Sequence, residues 1–375
     1  MRGQRRTVVA AAAIMVLGAA PSVASASDDP AAGDDGPATT LAGGLDGPRQ
    51  LDAYLNGRFV VAESDTGEVS SVDPETGDVK TLLSIKGDPQ GVDYERGRLY
   101  VTLGEVGPPP DEPQGPPPPP DRIGSALLVA DTDGKVLDTI DLLAYELAHN
   151  PDGQPQFDDK GMPFDALSNP FAVEVDGNRI FVADAGANDV LLIDRGTGKI
   201  STFFVPPRVS PDDVAVCATQ QANPGVVGCD PVPTGVKVGP DGKIYVSTLG
   251  AEAPDAARIY VLSPSGKVVD RIDDLNSVAG IAVDTDGTVY ASELLEGAPA
   301  EDPPPAGFDP ATVGQVVRIG PHGGRSYAQV TMPSGLEIQH GRLYASAWSI
   351  AGFLGLKSAG ELVRVHNDAF VKSSG

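Results

Sequence analysis

The chain has 375 residues, 41% of them hydrophobic, and its 52 acidic and 27 basic residues give a formal net charge of -25. Nucleic acids and anionic membranes would repel so acidic a surface, which argues against both as partners. The charge favours solubility, and we expect a monomer.

The amino-terminal segment predicts export. Three arginines within the first six residues precede an apolar run over residues 8–20 and the small-residue site Ala24-Ser25-Ala26. This order is typical of a secretory signal peptide. The apolar run is shorter than the ~20 residues that span a bilayer, which disfavours the alternative of a membrane anchor. We therefore predict a signal peptide over 1–26, no membrane span, and a secreted protein that is either free or retained at the cell envelope.

The rest of the chain divides into a short leader, one repeat domain and a tail. Residues 27–38 are Ser27 followed by Asp, Gly, Ala and Pro without apolar periodicity, which predicts a disordered leader. We place the repeat domain at 39–370 and the tail at 371–375.

Six similar units follow one another along the repeat domain. The best copy begins at Pro233 and consists of an alternating strand, a Pro-Asp-Gly turn and the β-branched run Ile244-Tyr245-Val246. The units begin at Pro48, Pro89, Pro170, Pro233, Val278 and Pro333. A hairpin this short cannot bury its own apolar face, so the copies must pack on one another.

A third strand follows in every unit, and a fourth in five of them, such as residues 79–83, 135–140 and 200–205. Four antiparallel strands repeated six times predict an all-β fold, a six-bladed β-propeller. A β-sandwich is the alternative, but it does not explain the fixed order inside each unit.

The sixth unit lacks a fourth strand of its own. Residues 38–44 precede the first unit in the position that a fourth strand occupies elsewhere. We predict that this amino-terminal strand completes the last blade and closes the ring.

The connections differ between the two ends of the predicted ring. Alternate turns of an antiparallel meander lie on opposite sides, and the turns on one side are all short. The other side receives every long insertion, at residues 103–124, 143–169, 206–232, 294–313 and 348–360. Long loops that a compact fold does not need are usually functional, so we expect the ligand site at the loop-rich end.

Cys217 and Cys229 are the two cysteines of the chain and lie in one Gly- and Pro-rich connection. Export to an oxidising compartment favours a disulfide between them. A metal-binding thiol pair is the alternative, but further Cys and nearby His ligands are missing.

Carboxylates occupy equivalent positions after the second strand of alternate units, at Glu63, Asp184 and Glu293. In a six-fold ring they would face the channel mouth, flanked by Asn169 and Asn188. Such oxygen-rich ligation suits a hard cation, and we predict that the three acids bind Ca²⁺. The alternative is that each acid accepts hydrogen bonds from a neighbouring blade connection or is simply solvated.

The segment Tyr145-Glu-Leu-Ala-His-Asn-Pro-Asp-Gly153, together with 167–171, 181–189 and 232–236, resembles the ScyD/ScyE family of secreted bacterial propellers. The resemblance covers roughly residues 38–365. It implies a six-bladed propeller akin to NHL-repeat and gluconolactonase-like folds. In the gluconolactonase-like proteins a Glu, an Asn and an Asp hold a divalent cation; Glu63 and Asp184 match that pattern, and no single Asn does.

Two functions follow as hypotheses. The first is a binding or scaffold propeller that holds a small molecule, a glycan or an envelope protein through its loop-rich face. The second is a divalent-metal-dependent hydrolase or lactonase at the channel mouth. The chain has no Gly-x-Ser-x-Gly nucleophile turn and no closely spaced histidine pair, which favours the first hypothesis.

Overall fold

Five of the six sequence units form an antiparallel sheet of four strands, and the sixth forms one together with the amino-terminal strand. The computed structural model describes residues 36–105, 121–219, 225–301 and 303–372, and its sheets contain β1 to β24 in six groups of four. The prediction of a six-bladed β-propeller is therefore confirmed.

The strands of the first three blades agree closely with the repeat pattern. Blade one contains β2 (Pro48–Ala53), β3 (Phe59–Glu63), β4 (Glu68–Val72) and β5 (Val79–Ser84). Blade two contains β6 (Pro89–Glu95), β7 (Arg98–Leu103), β8 (Ala126–Asp131) and β9 (Val136–Asp141). Helix α1 (Leu143–His149) then precedes blade three, which contains β10 (Pro170–Asp176), β11 (Arg179–Asp184), β12 (Asp189–Asp194) and β13 (Ile200–Phe204).

The last three blades follow the same order. Blade four contains β14 (Pro233–Val238), β15 (Ile244–Thr248), β16 (Ala257–Leu262) and β17 (Val268–Leu275). Blade five contains β18 (Val278–Val283), β19 (Val289–Glu293), β20 (Gln315–Ile319) and β21 (Arg325–Gln329). Blade six contains β22 (Leu336–Gln339), β23 (Arg342–Ala347), β24 (Gly360–Val365) and the amino-terminal β1 (Ala38–Leu45). Short 3-10 turns lie in the connections at Leu55–Gly57, Ala215–Ala218, Gly250–Glu252, Pro310–Thr312, Ala351–Leu354 and Asn367–Ala369.

The first strand of each blade packs against the first strands of its neighbours, so these six strands surround the central channel. Glycine permits the close approach. A Cβ atom on Gly280 would lie 2.3 Å from the carbonyl oxygen of Ser334 in the next blade. The hydrophobic core lies between neighbouring blades, as where Val60 and Val69 of blade one pack with Leu99 and Val101 of blade two.

The amino terminus closes the ring. Strand β1 pairs antiparallel with β24 from Ala38 opposite Val365 to Leu45 opposite Gly360, and Leu45 is fully buried. The predicted closure by the amino-terminal strand is confirmed. Because β1 begins at Ala38, the ordered domain starts one residue before the expected boundary.

The ordered domain also extends beyond the expected carboxy-terminal boundary. Val371 and Tyr327 exchange two backbone hydrogen bonds of 2.8 and 3.0 Å, so Val371 adds a bridge to blade five. The predicted signal peptide and residues 27–35 of the predicted leader lie outside the described residues.

The disulfide prediction is confirmed. Cys217 and Cys229 are bonded, with their Cα atoms 5.0 Å apart, and both are fully buried. The bond closes the connection between blades three and four, where Val209 and Cys229 also form an antiparallel bridge.

No helix in the described parts of the chain combines the length and the apolar character needed to cross a membrane.

Candidate functional site

A cavity of about 330 Å³ lies at the loop-rich end of the central channel. Its floor contains the second residue of every unit. These residues are Arg49, Gln90, Phe171, Thr234, Ala279 and Ser334. Because the six first strands surround the channel, equivalent positions meet around one axis, and the cavity receives one side chain from each blade.

The walls of the cavity come from the connections that the sequence places at the loop-rich end. Its polar wall residues are Ser64, Asp65, Asp88, Glu105, Arg122, Asn169 and Glu252. Its apolar wall residues are Ala185, Val232, Leu249, Leu294, Leu295, Ile350 and Phe353. The cavity therefore combines charged groups with an apolar surface, as small-molecule sites commonly do.

Arg49 is the buried cation of the floor, with 7% of its surface exposed. Its Nη1 donates a hydrogen bond of 2.6 Å to the carbonyl oxygen of Ser349, and its guanidinium lies 5.9 Å from the ring centre of Phe353. Burial lowers the pKa of Arg49, whereas Asp88 and Asp65 raise it. Its Nε donates a further hydrogen bond of 3.3 Å to Ser64 Oγ, and among the described residues Arg49 forms no ion pair.

Two wall carboxyls have pKa values close to neutrality. Burial, reinforced by the charges of Asp88 and Asp184, raises the pKa of Glu105 to about 7. Burial alone raises the pKa of Glu252 to about 7. Near neutral pH each of these groups can therefore donate or accept a hydrogen bond.

Two wall residues have a strained backbone. Val232 and Glu252 adopt φ values of 53° and 57°, in the left-handed region that non-glycine residues rarely enter. Each such residue costs of order 1–3 kcal/mol, so the surrounding structure must hold both in place. Strain of this kind is concentrated at ligand sites.

The three predicted carboxylates do not line this cavity. Glu63, Asp184 and Glu293 are buried, with 3%, 1% and 3% of their surfaces exposed. Each accepts a backbone N–H from the connection that enters its own blade, Glu63 from Asp46 (2.8 Å), Asp184 from Asn169 (2.6 Å) and Glu293 from Asn276 (2.8 Å). This is the alternative arrangement that the sequence left open.

The residues that face the channel mouth lie one position later in the chain than the three expected carboxylates. Successive side chains of a strand point to opposite faces, so neighbouring residues direct their side chains to opposite sides. The residues that follow the three carboxylates, Ser64, Ala185 and Leu294, are the ones that line the cavity.

Of the two flanking amides, Asn169 lines the cavity and Asn188 does not. Asn188 is 4% exposed, and its Oδ1 accepts a hydrogen bond of 3.1 Å from the N–H of Val232. It therefore supports the cavity wall from behind.

The gluconolactonase-like resemblance implies a divalent cation held by Glu63 and Asp184, and the alternating acids add Glu293 as a third expected ligand. In the described ranges no group of three or more His, Cys, Asp or Glu side chains is placed to hold a metal ion. Calcium binding by these three residues stays a prediction.

Sequence reasoning did not identify Arg49, Glu105 or Glu252. Arg49 could have been found from the sequence, because it occupies the second position of a unit. Aligning that position across the six units gives all six residues of the cavity floor. Glu105 and Glu252 belong to connections without repeat register, and the sequence offered no comparable signal for them.

A second ring of side chains lies toward the opposite end of the channel, at the fifth position of each unit. It consists of Asp52, Asp93, Glu174, Lys237, Ala282 and Glu337, around a space of about 290 Å³. Lys237 Nζ lies 3.2 Å from Glu174 and 3.3 Å from Glu337. Between the two rings Gln50 reaches across the channel and donates a hydrogen bond of 2.8 Å to the carbonyl oxygen of Ala279 in blade five.

No family model matches the chain, and neither does any curated protein. Solved structures similar in fold include a PQQ-bound aldose sugar dehydrogenase from Streptomyces coelicolor (TM-score 0.53, 13% identity, covering 87% of this chain and 96% of that one). A gluconolactonase from Xanthomonas campestris gives a TM-score of 0.52 at 12% identity, and the match covers 87% of this chain and 89% of that one. A streptogramin B lyase gives a TM-score of 0.50 at 14% identity, and the match covers 88% of this chain and 97% of that one. The chain is thus a six-bladed propeller similar in structure to lactonase and lyase propellers, and at these identities the similarity shows the fold alone.

Proposed function

We propose that this protein is a secreted propeller of the ScyD/ScyE type that binds a polyhydroxylated ligand, a small sugar or the end of a glycan, in the cavity at the channel mouth. The observation that carries the proposal is the cavity itself, about 330 Å³ with a buried guanidinium in its floor. That volume suits a small ligand.

The side chains of the cavity suit an array of hydroxyl groups. Arg49 and Asn169 offer donors, while Asp65 and Asp88 offer acceptors, and one buried oxygen of Asp88, Oδ1, has no hydrogen-bond partner. A hydroxyl both donates and accepts, so it can satisfy both kinds of group at once. The ring of Phe353 supplies an apolar surface for the C–H face of a sugar.

The sequence resemblance supports assignment to the ScyD/ScyE type. The fold adds nothing to the choice of ligand, because six-bladed propellers serve enzymes and binding proteins alike. Secretion, free or with retention at the cell envelope, is part of the proposal and is supported by the signal-peptide pattern.

The test is binding of the purified chain to an array of immobilised glycans and monosaccharides, with Arg49→Gln as the probe variant. We expect wild-type binding to a restricted set, and a loss of at least about tenfold in affinity for the variant, because a hydrogen bond to a charged group contributes roughly 1.5–3 kcal/mol. The matched control is Arg58→Gln, since Arg58 is a partly buried arginine that pairs with Asp73 away from the cavity. Absence of any glycan binding, or equal loss in both variants, would overturn the proposal.

A second candidate function is hydrolysis of a lactone or ester, favoured by the pKa of about 7 at Glu105 and Glu252. A carboxyl that titrates near neutrality suits general acid–base catalysis. If this function holds, some lactones of a test panel should be turned over at a rate that changes with pH near 7. Replacing Glu252 by Gln should remove that change from the pH–rate profile. Turnover that is unchanged in the variant would exclude the role of Glu252.

A further inference from the structure

The disulfide shares an apolar cluster with part of the cavity wall. The blade-four wall of the cavity consists of Val232, Leu249 and Glu252. Cys217 and Cys229 are bonded and fully buried, and they pack in one cluster with Val209, Val214, Ala251, Ala253 and Ala256. Ala251 and Ala253 are the chain neighbours of Glu252. The residues on either side of Glu252 therefore belong to the apolar cluster that surrounds the disulfide.

Backbone hydrogen bonds join the two segments that form the blade-four wall. The N–H of Leu249 donates a hydrogen bond of 2.8 Å to the carbonyl oxygen of Val232, and the N–H of Gly250 donates one of 2.9 Å to that of Pro231. Cys229 lies just before these two acceptors in the chain, and the disulfide fixes its position. A short path of bonded contacts thus connects the disulfide to the wall.

Both segments of the wall contain residues with a strained backbone. Besides Val232 and Glu252, Ala251 and Asp255 adopt positive φ values of 53° and 60°. Such conformations persist only where the surrounding structure holds them. The wall therefore depends on the packing behind it.

Two amide side chains support the ends of these segments. Asn188 Oδ1 accepts a hydrogen bond of 3.1 Å from the N–H of Val232, and Asn276 Oδ1 accepts one of 2.7 Å from the N–H of Asp255. The turn Gly250–Glu252 lies between these two supports, and the cluster around the disulfide packs against it. The disulfide therefore acts on the part of the wall that presents Glu252 to the cavity.

We propose that the Cys217–Cys229 disulfide is a positioning element of the cavity, which holds Val232, Leu249 and Glu252 in place so that the ligand site is complete only in the oxidised protein. The consequence for binding rests on the proposed function, because the cavity is the proposed sugar site.

Export would then complete the site. Forming the bond oxidises the two thiols, and a protein disulfide of the oxidising compartment accepts their two electrons and two protons by thiol–disulfide exchange. Before that step the wall lacks its support, so the reduced chain would bind the ligand weakly.

The test compares wild type with the double variant Cys217→Ala and Cys229→Ala, and two of its readouts need no ligand. The first is hydrogen exchange at the amides of Leu249 and Gly250. Exchange at both should become at least about tenfold faster in the double variant, because the segment that carries their acceptors is no longer fixed.

The second readout is the titration of Glu252, followed by carbon NMR. Burial alone raises the pKa of Glu252 to about 7, so a loosened wall that admits water should lower the midpoint toward the ordinary value. Burial also raises the pKa of Glu105 to about 7, but Glu105 follows blade two and should keep its midpoint. A general loss of stability would not change one midpoint and leave the other in folded protein.

Val60→Ala is the matched control, because Val60 is fully buried in the core between blades one and two. It should lower the melting temperature and leave both readouts unchanged. Unchanged exchange and an unchanged Glu252 midpoint in the double variant, or equal changes in Val60→Ala, would overturn the proposal. Should the double variant fail to fold, wild type reduced with a phosphine until both thiols are counted gives the same two measurements.

Binding is measured with the glycan that wild type selects on the array. The double variant should bind that glycan at least about tenfold more weakly, because a preorganised site binds more tightly, whereas Val60→Ala should keep wild-type affinity. Equal affinity of the double variant and wild type would overturn the proposal. If wild type binds no glycan, the proposed function fails, and the exchange and titration measurements still decide whether the disulfide positions the wall.

Discussion

At the scale of single residues, the clearest electrostatic device is the acid ring around Lys237. Asp52, Asp93 and Glu174 each accept a backbone N–H from the next blade, of Tyr94, Val175 and Val238 respectively. Burial alone would lower the pKa of Lys237, but Glu174, Glu337, Asp52 and Asp93 together hold it well above its usual range. The ring therefore joins neighbouring inner strands and balances part of its own charge.

Replacing Lys237 by Met should destabilise the protein by about 3–5 kcal/mol near pH 8, because it leaves several buried carboxylates without their cation. The loss should shrink near pH 5, where Glu337, whose pKa burial raises to about 7, is already protonated. Urea unfolding at both pH values measures this. Lys243→Met is the control, because Lys243 is 44% exposed and pairs with Asp241 alone; equal stability of the Lys237 variant and wild type at pH 8 would refute the account.

At the scale of strands, ring closure depends on β1. Without it, β24 would present an unpaired edge, since β1 supplies its outer ladder and buries Leu45 and Ala42 against the core. Thr39 Oγ1 also lies 2.6 Å from Nε2 of His366. The closure is thus both a backbone ladder and a packed surface.

Deleting residues 39–45 should therefore cause aggregation or a large loss of stability, because an exposed strand edge pairs with other chains. Light scattering and thermal melting of the purified variant measure both effects. Deleting 28–35 instead leaves β1 and Pro37 in place and should change neither. Similar behaviour of the two deletions would show that β1 does not hold the ring closed.

At the scale of the whole molecule, buried acids make stability depend on pH. Burial raises the pKa to about 7 at Glu105, Glu146, Glu252 and Glu337, and to about 6 at Asp230. A carboxyl whose folded pKa is raised holds its proton more tightly when folded. Its stabilising contribution is complete below the unfolded value near 4 and is lost as the pH rises through the folded value.

We therefore expect the melting temperature to fall by several degrees between about pH 5 and pH 8. Calorimetry across this range measures it. The pKa is lowered at four exposed acids in turns, Asp73, Asp158, Asp194 and Asp286. Their contribution to stability is lost only at more acidic pH, outside this range. A melting temperature that rises from pH 5 to pH 8 would contradict the expected direction.

The sequence by itself determined the blade count, the strand order, the closure by the amino-terminal strand and the disulfide. These features depend on local patterns: alternating apolar residues, turn residues at fixed offsets, and two cysteines in one connection. A repeat multiplies such signals, because each unit shows the same order and supports the others. The loop-rich end followed as well, since strand order alone decides on which side each connection lies.

Only the tertiary structure decided which side chains face the channel. Glu63 and Ser64 are adjacent, yet Glu63 is buried against the connection entering its own blade and Ser64 lines the cavity. The reason is that successive side chains along an extended chain point to opposite faces. Glu146 and Asp189 are far apart in the chain, and the electrostatic effect of Glu146 on Asp189 depends on how a non-repeating connection folds back onto blade three. The repeat pattern fixes backbone register within blades, whereas these contacts arise from connections that have no repeat to follow.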